Sequence, residues 1–131
     1  MILLDTHAWV WLVSNPGNLS EAAKNSLETA MEENAVYVSS ISVWEVALLV
    51  LRKRLKLTMD VNDWIRKSEQ LPFMKFVPIN NFIAVQSVYL SPPLHKDPAD
   101  RIIIATAKSM GMPIVTKDDK IRNYKHIKTI W

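Results

Sequence analysis

The chain contains no cysteine and only 2 glycines. Without cysteine it has no disulfide, no thiolate nucleophile and no thiolate-bound metal. Two glycines are too few to build a glycine-rich phosphate-binding loop, or the glycine-flanked turn that exposes the catalytic serine of many hydrolases. Several common kinds of active site are therefore excluded by composition alone.

Long hydrophobic runs are also missing. The longest ones, such as residues 46–51, are far shorter than the roughly 20 apolar residues that a membrane span needs, and no basic region precedes the apolar start of the chain. We therefore expect a soluble, unexported protein in the cytoplasm, with no membrane partner. With 49% hydrophobic residues and no linker-like tract or repeat, residues 1–131 are expected to form a single domain.

Short apolar runs alternate with amphipathic stretches along the chain. The runs predict strands at 1–4, 36–38, 76–79, 113–116 and, at an edge, 127–130. The stretches between them predict helices at 6–13, 20–31, 43–51, 61–71, 81–91 and 98–111, with a helical turn at 119–123. Alternation of this kind favours an α/β fold with three layers, α/β/α, around a mostly parallel central sheet.

Acidic residues follow three of these strands. Asp5 ends the first strand, Glu45 lies about one turn into the helix after the second, and Asp118 comes two residues after Thr116. Ligands of open parallel sheets bind beyond the carboxyl ends of the strands, so these acids are expected at one edge. Asp100 joins them because its neighbours one turn further along the helix are apolar, which leaves it the only charge on that face.

Glu45 is the only charged residue in VWEVALLVL, which we expect to be a helix buried on nearly all sides. An unpaired carboxylate there would cost several kcal/mol or shift its pKa. Four converging carboxylates would also repel one another, and no Lys or Arg stands beside each of them. A hard divalent ion, Mg²⁺ or Mn²⁺, relieves this repulsion in a chain that has no Cys and only 3 His.

Other polar residues close to these acids have simpler expected roles. Thr6 and Thr116 are candidates to hydrogen-bond a carboxylate or a water at the site. Asp97, followed by proline, is predicted to cap a helix. His7 and His95 each lack a second histidine at helical spacing, so neither is predicted to bind zinc.

Basic residues concentrate in two stretches, within a net charge of +3. Each stretch is either a solvated face or a footprint for a phosphate backbone. The first consists of Arg52, Lys53, Arg54 and Lys56, and the second of Lys117, Lys120, Arg122, Lys125 and Lys128. Four tryptophans in helical patterns are expected in the core or at an interface, namely Trp9, Trp11, Trp44 and Trp64.

Four segments, LLDTHAWVWL, SVWEVALL, DPADRIIIATA and IVTKDD, together resemble a PIN domain, and more narrowly a VapC-type toxin ribonuclease of a type II toxin–antitoxin system. The resemblance spans nearly the whole chain. It implies an active Mg²⁺- or Mn²⁺-dependent endoribonuclease, with a quartet of metal-binding and catalytic acids at Asp5, Glu45, Asp100 and Asp118.

The resemblance also bears on residues beside the quartet. The family pattern of Thr, any residue, then Asp selects Asp118 rather than Asp119. Asp97 belongs to the DPADR pattern, which implies help through water or a hydrogen bond as well as helix capping. The basic residues Arg52, Lys53, Arg54, Lys117, Lys120 and Arg122 become candidates to hold flanking RNA phosphates.

The family further implies two partners. One is a second copy of the chain, which forms a homodimer, and the other is a cognate antitoxin whose C-terminal segment covers the site. The Trp-rich helices are expected to provide apolar surface for both.

Two alternatives remain open. One is a catalytically silent PIN-like module that binds RNA or a partner. The other is a Mg²⁺-binding receiver-like signalling domain, although that class has an adjacent acid pair after its first strand and this chain has Asp5 alone.

Overall fold

A computed structural model describes all 131 residues and contains five strands and seven α-helices. The strands are β1 (Ile2–Leu4), β2 (Val36–Ser39), β3 (Met74–Val77), β4 (Ile114–Val115) and β5 (Thr129–Ile130). The helices are α1 (Thr6–Ser14), α2 (Glu21–Glu32), α3 (Ser40–Leu51), α4 (Val61–Glu69), α5 (Asn81–Val88), α6 (Pro98–Met110) and α7 (Asp119–Arg122), with a 3₁₀ turn at Pro16–Asn18. None of these helices has the length and apolar character needed to cross a membrane.

The strands form one sheet in the order β3-β2-β1-β4-β5, and every pair is parallel. The predicted α/β fold with a mostly parallel sheet is thus confirmed. One strand is displaced from its predicted position. The prediction was 76–79, whereas β3 runs from Met74 to Val77 and ends before Pro78. Proline has no N–H for the ladder, so the strand stops ahead of it and uses the residues that precede it.

Helices cover both faces of the sheet, as a three-layer arrangement requires. Successive side chains of a strand point to opposite faces, and β1 shows this with Leu3 and Leu4. Leu4 packs in a core with Trp9 of α1 and Trp64 of α4, whereas Leu3 packs in a second core with Ile103 of α6. The predicted burial of two of the tryptophans follows from this packing.

Helix α6, which carries Asp100, begins and ends at the predicted signals. The Asp97 carboxylate accepts a 3.0 Å hydrogen bond from Ala99 N, and Pro98 occupies the first turn. Gly111 ends the helix with φ of 66°, a left-handed conformation that glycine adopts without steric cost. The capped first turn therefore holds Asp100 at a defined place.

Helix α3 differs from its prediction. We expected burial on nearly all sides, but only Ser42 and Val46 are fully buried, while Trp44 is 57% and Leu51 78% exposed. An apolar sequence shows no preferred face, so it does not reveal that α3 packs on the core along one side only. The outer side of the helix is left uncovered in a single copy of the chain.

Candidate metal centre

The order of the strands places two acids beside the centre of the sheet. The chain runs from β1 outwards to β2 and β3, then returns to β4 on the other side of β1. The gap between β1 and β4 is therefore the point where the order reverses and where such sheets bind ligands. Asp5 follows β1 and its N–H bonds to Val115 O of β4 at 3.0 Å. Asp118 follows β4 and caps α7.

A cleft of about 290 Å³ opens at this edge of the sheet. All four acids predicted to bind metal line it, and so does a fifth acid, Asp97. Arg54 is the only Lys or Arg that lines the same cleft. The neighbouring acid Asp119 does not line it and instead lies exposed, with one carboxylate oxygen 3.9 Å from Arg122 Nη1. The lining of the cleft thus contains five carboxylates and a single permanent cation.

Asp5 is the most firmly held of these carboxylates. Its Oδ1 accepts a 2.6 Å hydrogen bond from Thr6 N, and its Oδ2 accepts a 2.7 Å bond from Thr116 Oγ1. Thr116 Oγ1 in turn accepts a 3.0 Å bond from Asp118 N. Thr116 therefore links the carboxylate after β1 to the turn after β4, the kind of contact predicted for it.

Glu45 reaches the cleft from the second turn of α3. Its Oε1 lies 2.6 Å from Thr6 Oγ1, which also lies 2.8 Å from Ser42 Oγ. Burial raises the pKa of Glu45 from 4.5 to about 7, and repulsion by Asp5 and Asp100 adds to the rise while the Thr6 bond opposes it. Near neutral pH this side chain consequently exists as a mixture of charged and uncharged forms.

Asp100, which lines the same cleft, has a comparable environment. Burial raises its pKa from 3.8 to about 6, the hydrogen bond from His95 lowers it, and the carboxylates of Asp5, Asp97 and Asp118 raise it further. The contact to His95 joins Asp100 Oδ2 and the ring Nε2 at 2.6 Å. Two of the four acids therefore have a raised pKa, chiefly because they are buried and in part because other carboxylates lie near them.

Two histidines touch these acids, a role that sequence reasoning missed. His95 contacts Asp100, and His7 Nδ1 lies 3.4 Å from Asp5 Oδ2. His7 Nε2 accepts a 3.1 Å hydrogen bond from Lys117 N, so the proton of the neutral ring is on the Nδ1 that faces Asp5. Each histidine lies within five residues of an acid at the start of a helix. This short spacing was the only sign in the sequence that histidine and acid could be in contact.

The residues of the cleft fit a hard divalent cation. The donors are carboxylate oxygens, and Arg54 is the only Lys or Arg in the lining that could offset their charge. No three His, Asp or Glu side chains converge closely enough to enclose an ion by themselves. This openness suits an ion such as Mg²⁺, which retains several waters and uses one or two carboxylates together with substrate phosphate.

The six basic residues predicted to contact RNA are all exposed, but their positions differ. Arg54 lines the cleft, and Arg52 lines an adjoining groove of about 540 Å³ beside Trp44. Lys53 follows α3 with φ of 57°. The other three surround the Asp118 turn, where Lys120 N donates to Asp118 Oδ1, and they are Lys117, Lys120 and Arg122.

The sequence of the chain matches a known family along almost its full length. A family model described as the PIN domain matches residues 2–127. The chain belongs to the PIN-domain family. This PIN domain is 35% identical to Ribonuclease VapC22 of Mycobacterium tuberculosis, over 99% of its own length and 98% of that protein, which places it among the VapC proteins.

Solved structures agree with the fold of this PIN domain. FitAcB from Neisseria gonorrhoeae has 26% sequence identity and a TM-score of 0.68, with 98% of this chain and 96% of that chain covered. VapBC2 from Rickettsia felis, bound to a DNA fragment from their promoter, has a TM-score of 0.71 at 17% identity, with 98% and 97% covered. At that identity the second match supports the fold alone. VapC ribonucleases of the PIN-domain family depend on divalent metal.

Proposed function

We propose that this PIN domain is a Mg²⁺- or Mn²⁺-dependent endoribonuclease and the toxin of a type II toxin–antitoxin pair. The observation that carries the proposal is the cleft, in which acids from four distant parts of the chain meet with one permanent cation. The 35% identity to a protein named a ribonuclease supports the choice of RNA as substrate. Residues 1–131 are proposed to act as a single domain, and the cytoplasm, where RNA is available, as its location.

The acids of the quartet are assigned the task of holding the ion. They are Asp5, Glu45, Asp100 and Asp118, and each lines the cleft. Thr6 and Thr116 keep Glu45 and Asp5 in place through hydrogen bonds of 2.6 and 2.7 Å. Asp97 caps α6 with one oxygen and lines the cleft, so its contribution is expected to pass through water.

When bound, the divalent ion supplies two effects to phosphodiester hydrolysis, which are a lower pKa for an attacking water and stabilisation of charge on the phosphate. The side chains of the protein position the ion and the RNA. Arg54 is the only side chain with a permanent positive charge in the cleft lining, and it is assigned to a phosphate of the bound RNA. The remaining exposed basic residues hold flanking phosphates by electrostatic attraction, which salt weakens.

The decisive experiment compares two adjacent acids. Asp118 lines the cleft and Asp119 does not, so Asp118→Asn should abolish cleavage of RNA in Mg²⁺ or Mn²⁺ while Asp119→Asn should retain it. Asp5→Asn and EDTA should also abolish cleavage by the wild-type protein. Full cleavage by Asp5→Asn or Asp118→Asn would contradict the assignment of the metal site.

The same assay distinguishes an active ribonuclease from a catalytically silent PIN-like module. A catalytically silent PIN-like module would bind RNA without cutting it, in either metal and with every acid intact. Membership of the PIN-domain family argues against the receiver-like alternative, which belongs to another family. A chain that cleaves RNA only with a divalent ion is the expected result.

The proposed partners are an antitoxin and a second copy of the chain. The Trp-rich helices were expected to provide apolar surface for them, but Trp9 and Trp64 are buried in the core and only Trp44 is largely exposed. Helix α5 and the residue that follows it instead present an exposed apolar group, Phe82, Val85, Val88 and Tyr89. Light scattering should give a dimer, and co-expression with a small protein encoded just upstream should suppress cleavage.

A further inference from the structure

Arg101, the residue after Asp100, holds the end of α5 and the loop before α6 together. Its guanidinium donates to Ser87 O at 2.9 Å, to Val88 O at 3.1 Å and to His95 O at 3.2 Å. The first two acceptors are the last residues of α5, whose carbonyls have no partner within the helix. Three bonds from one planar group thus fix the backbone of His95 relative to α5 and α6.

The ring of His95 is directed at Asp100. Its Nε2 lies 2.6 Å from Asp100 Oδ2, and the side chains are only 19% and 11% exposed. An ionised carboxylate can only accept, so when Asp100 is ionised Nε2 carries the hydrogen of this bond. Asp100 Oδ1 receives no hydrogen bond from the protein, which leaves it as the oxygen available to the cleft.

The same arrangement occurs at other carboxylates of the cleft. Thr6 donates to one oxygen of Glu45, and Lys120 N donates to one oxygen of Asp118. In each case a donor from the protein occupies one oxygen and thereby limits rotation of the carboxylate. His95 differs from these donors in that its own backbone carbonyl is held by an arginine, Arg101.

We infer that His95 is a positioning residue of the metal site, which holds Asp100 Oδ2 so that Oδ1 is presented to the ion, and that Arg101 keeps His95 in place. The inference rests on the proposed metal-dependent function. Groups that orient a metal-binding side chain in this way commonly change metal affinity by about 10- to 100-fold. His95 is not assigned contact with metal or RNA.

Binding of Mn²⁺, followed by the electron paramagnetic resonance signal of the free ion, tests the role of the donor. His95→Phe keeps a ring without an N–H, whereas His95→Gln retains an N–H donor. His95→Phe should weaken Mn²⁺ binding by about tenfold or more, and His95→Gln should restore it to within about threefold of wild type. His126→Phe is the matched control, since His126 is exposed and does not line the cleft.

Melting of the metal-free variants shows whether a weaker affinity reflects loss of the fold. Equal affinity of His95→Phe and wild type would overturn the inference, and so would a His95→Gln variant as weak as His95→Phe. If the wild-type protein itself binds no Mn²⁺, the proposed metal site fails as well. If the wild-type protein binds Mn²⁺ and His95→Phe binds it equally well, only the role of His95 is overturned and the metal site stands.

A second measurement observes the His95 ring in the wild-type protein and uses a variant only to assign its signal. In wild-type protein labelled with ¹⁵N-histidine, the ring of His95 should carry its hydrogen on Nε2, and that N–H signal should move when Mg²⁺ is added. A hydrogen on Nδ1, or a signal that saturating Mg²⁺ leaves unchanged, would overturn the inference. Of the signals of the three histidines, the one that is absent from the spectrum of His95→Gln belongs to His95.

Discussion

Thr116 Oγ1 donates a 2.7 Å hydrogen bond to Asp5 Oδ2 although the two residues are 111 positions apart in sequence. Both groups are buried, and the hydroxyl also accepts the N–H of Asp118 at 3.0 Å. One hydroxyl therefore sets the relative positions of the strand ends that carry two of the proposed metal ligands. Without this donor the buried Asp5 Oδ2 would keep only the longer, 3.4 Å contact to His7 Nδ1, and most of its desolvation would be uncompensated.

The first prediction concerns this hydroxyl. Thr116→Val keeps the shape of the side chain but removes the donor, so urea unfolding should show a loss of about 1–3 kcal/mol. Mn²⁺ affinity should fall as well, because Asp5 is no longer held. Thr116→Ser, which keeps the hydroxyl, should recover most of both quantities. Thr29→Val, at an exposed threonine of α2, is the control and should change neither.

The sequence predicted the α/β fold and the meeting of the four acids for a common physical reason. Short apolar runs followed by an acid place that acid at the carboxyl edge of a parallel sheet, whatever the lengths of the helices between. The predicted positions of Asp5 and Asp118 depend only on this rule. Asp100 depends on a helix start that Asp97 and Pro98 mark, and the cap is present as predicted.

The features that the sequence did not predict lie in irregular loops or on helices that are apolar all around. His95 meets Asp100 because the loop before α6 turns back, and no periodic pattern describes such a loop. The exposed outer side of α3 was missed because apolar residues occur all around this helix. Periodicity predicts a buried face only where polar residues mark the opposite one.

Glu45→Gln provides the second prediction. In the metal-free protein the substitution removes a carboxylate whose pKa is raised to about 7 by burial and by neighbouring acids. The variant should therefore melt at a higher temperature than wild type above neutral pH, while binding Mn²⁺ more weakly. The two effects have opposite signs, so a general loss of structure cannot imitate them. A variant less stable than wild type in EDTA at about pH 8 would contradict this account.

The third prediction is the pH dependence of stability without metal. The pKa values of Glu45 and Asp100 are raised in the folded state, to about 7 and about 6, so folding binds protons between the ordinary and the raised values. The associated stability is fully present below about pH 4 and is lost as the pH rises through about 6 and 7. In EDTA the melting temperature should thus fall in that window, and the fall should be smaller in Glu45→Gln.

Metal binding should show the complementary dependence on pH. An ion binds the ionised carboxylates, so Mn²⁺ affinity should rise across the same window in which the metal-free protein loses stability. Calorimetry in two buffers with different ionisation enthalpies should detect proton release on binding near neutral pH. Affinity that is flat from about pH 5 to about pH 8 would mean that Glu45 and Asp100 do not take part.

Arg54 provides the last prediction, because it is the only Lys or Arg in the lining of the cleft. Arg54→Gln should weaken binding of single-stranded RNA to a protein inactivated by Asp118→Asn. The slope of log affinity against log salt should become shallower by about 0.7, the value for one phosphate contact on a single strand. Arg66→Gln removes an arginine that is paired with Asp63 on α4, and it should leave the slope unchanged. If the two arginine variants bind alike at every salt concentration, the phosphate contact assigned to Arg54 is wrong.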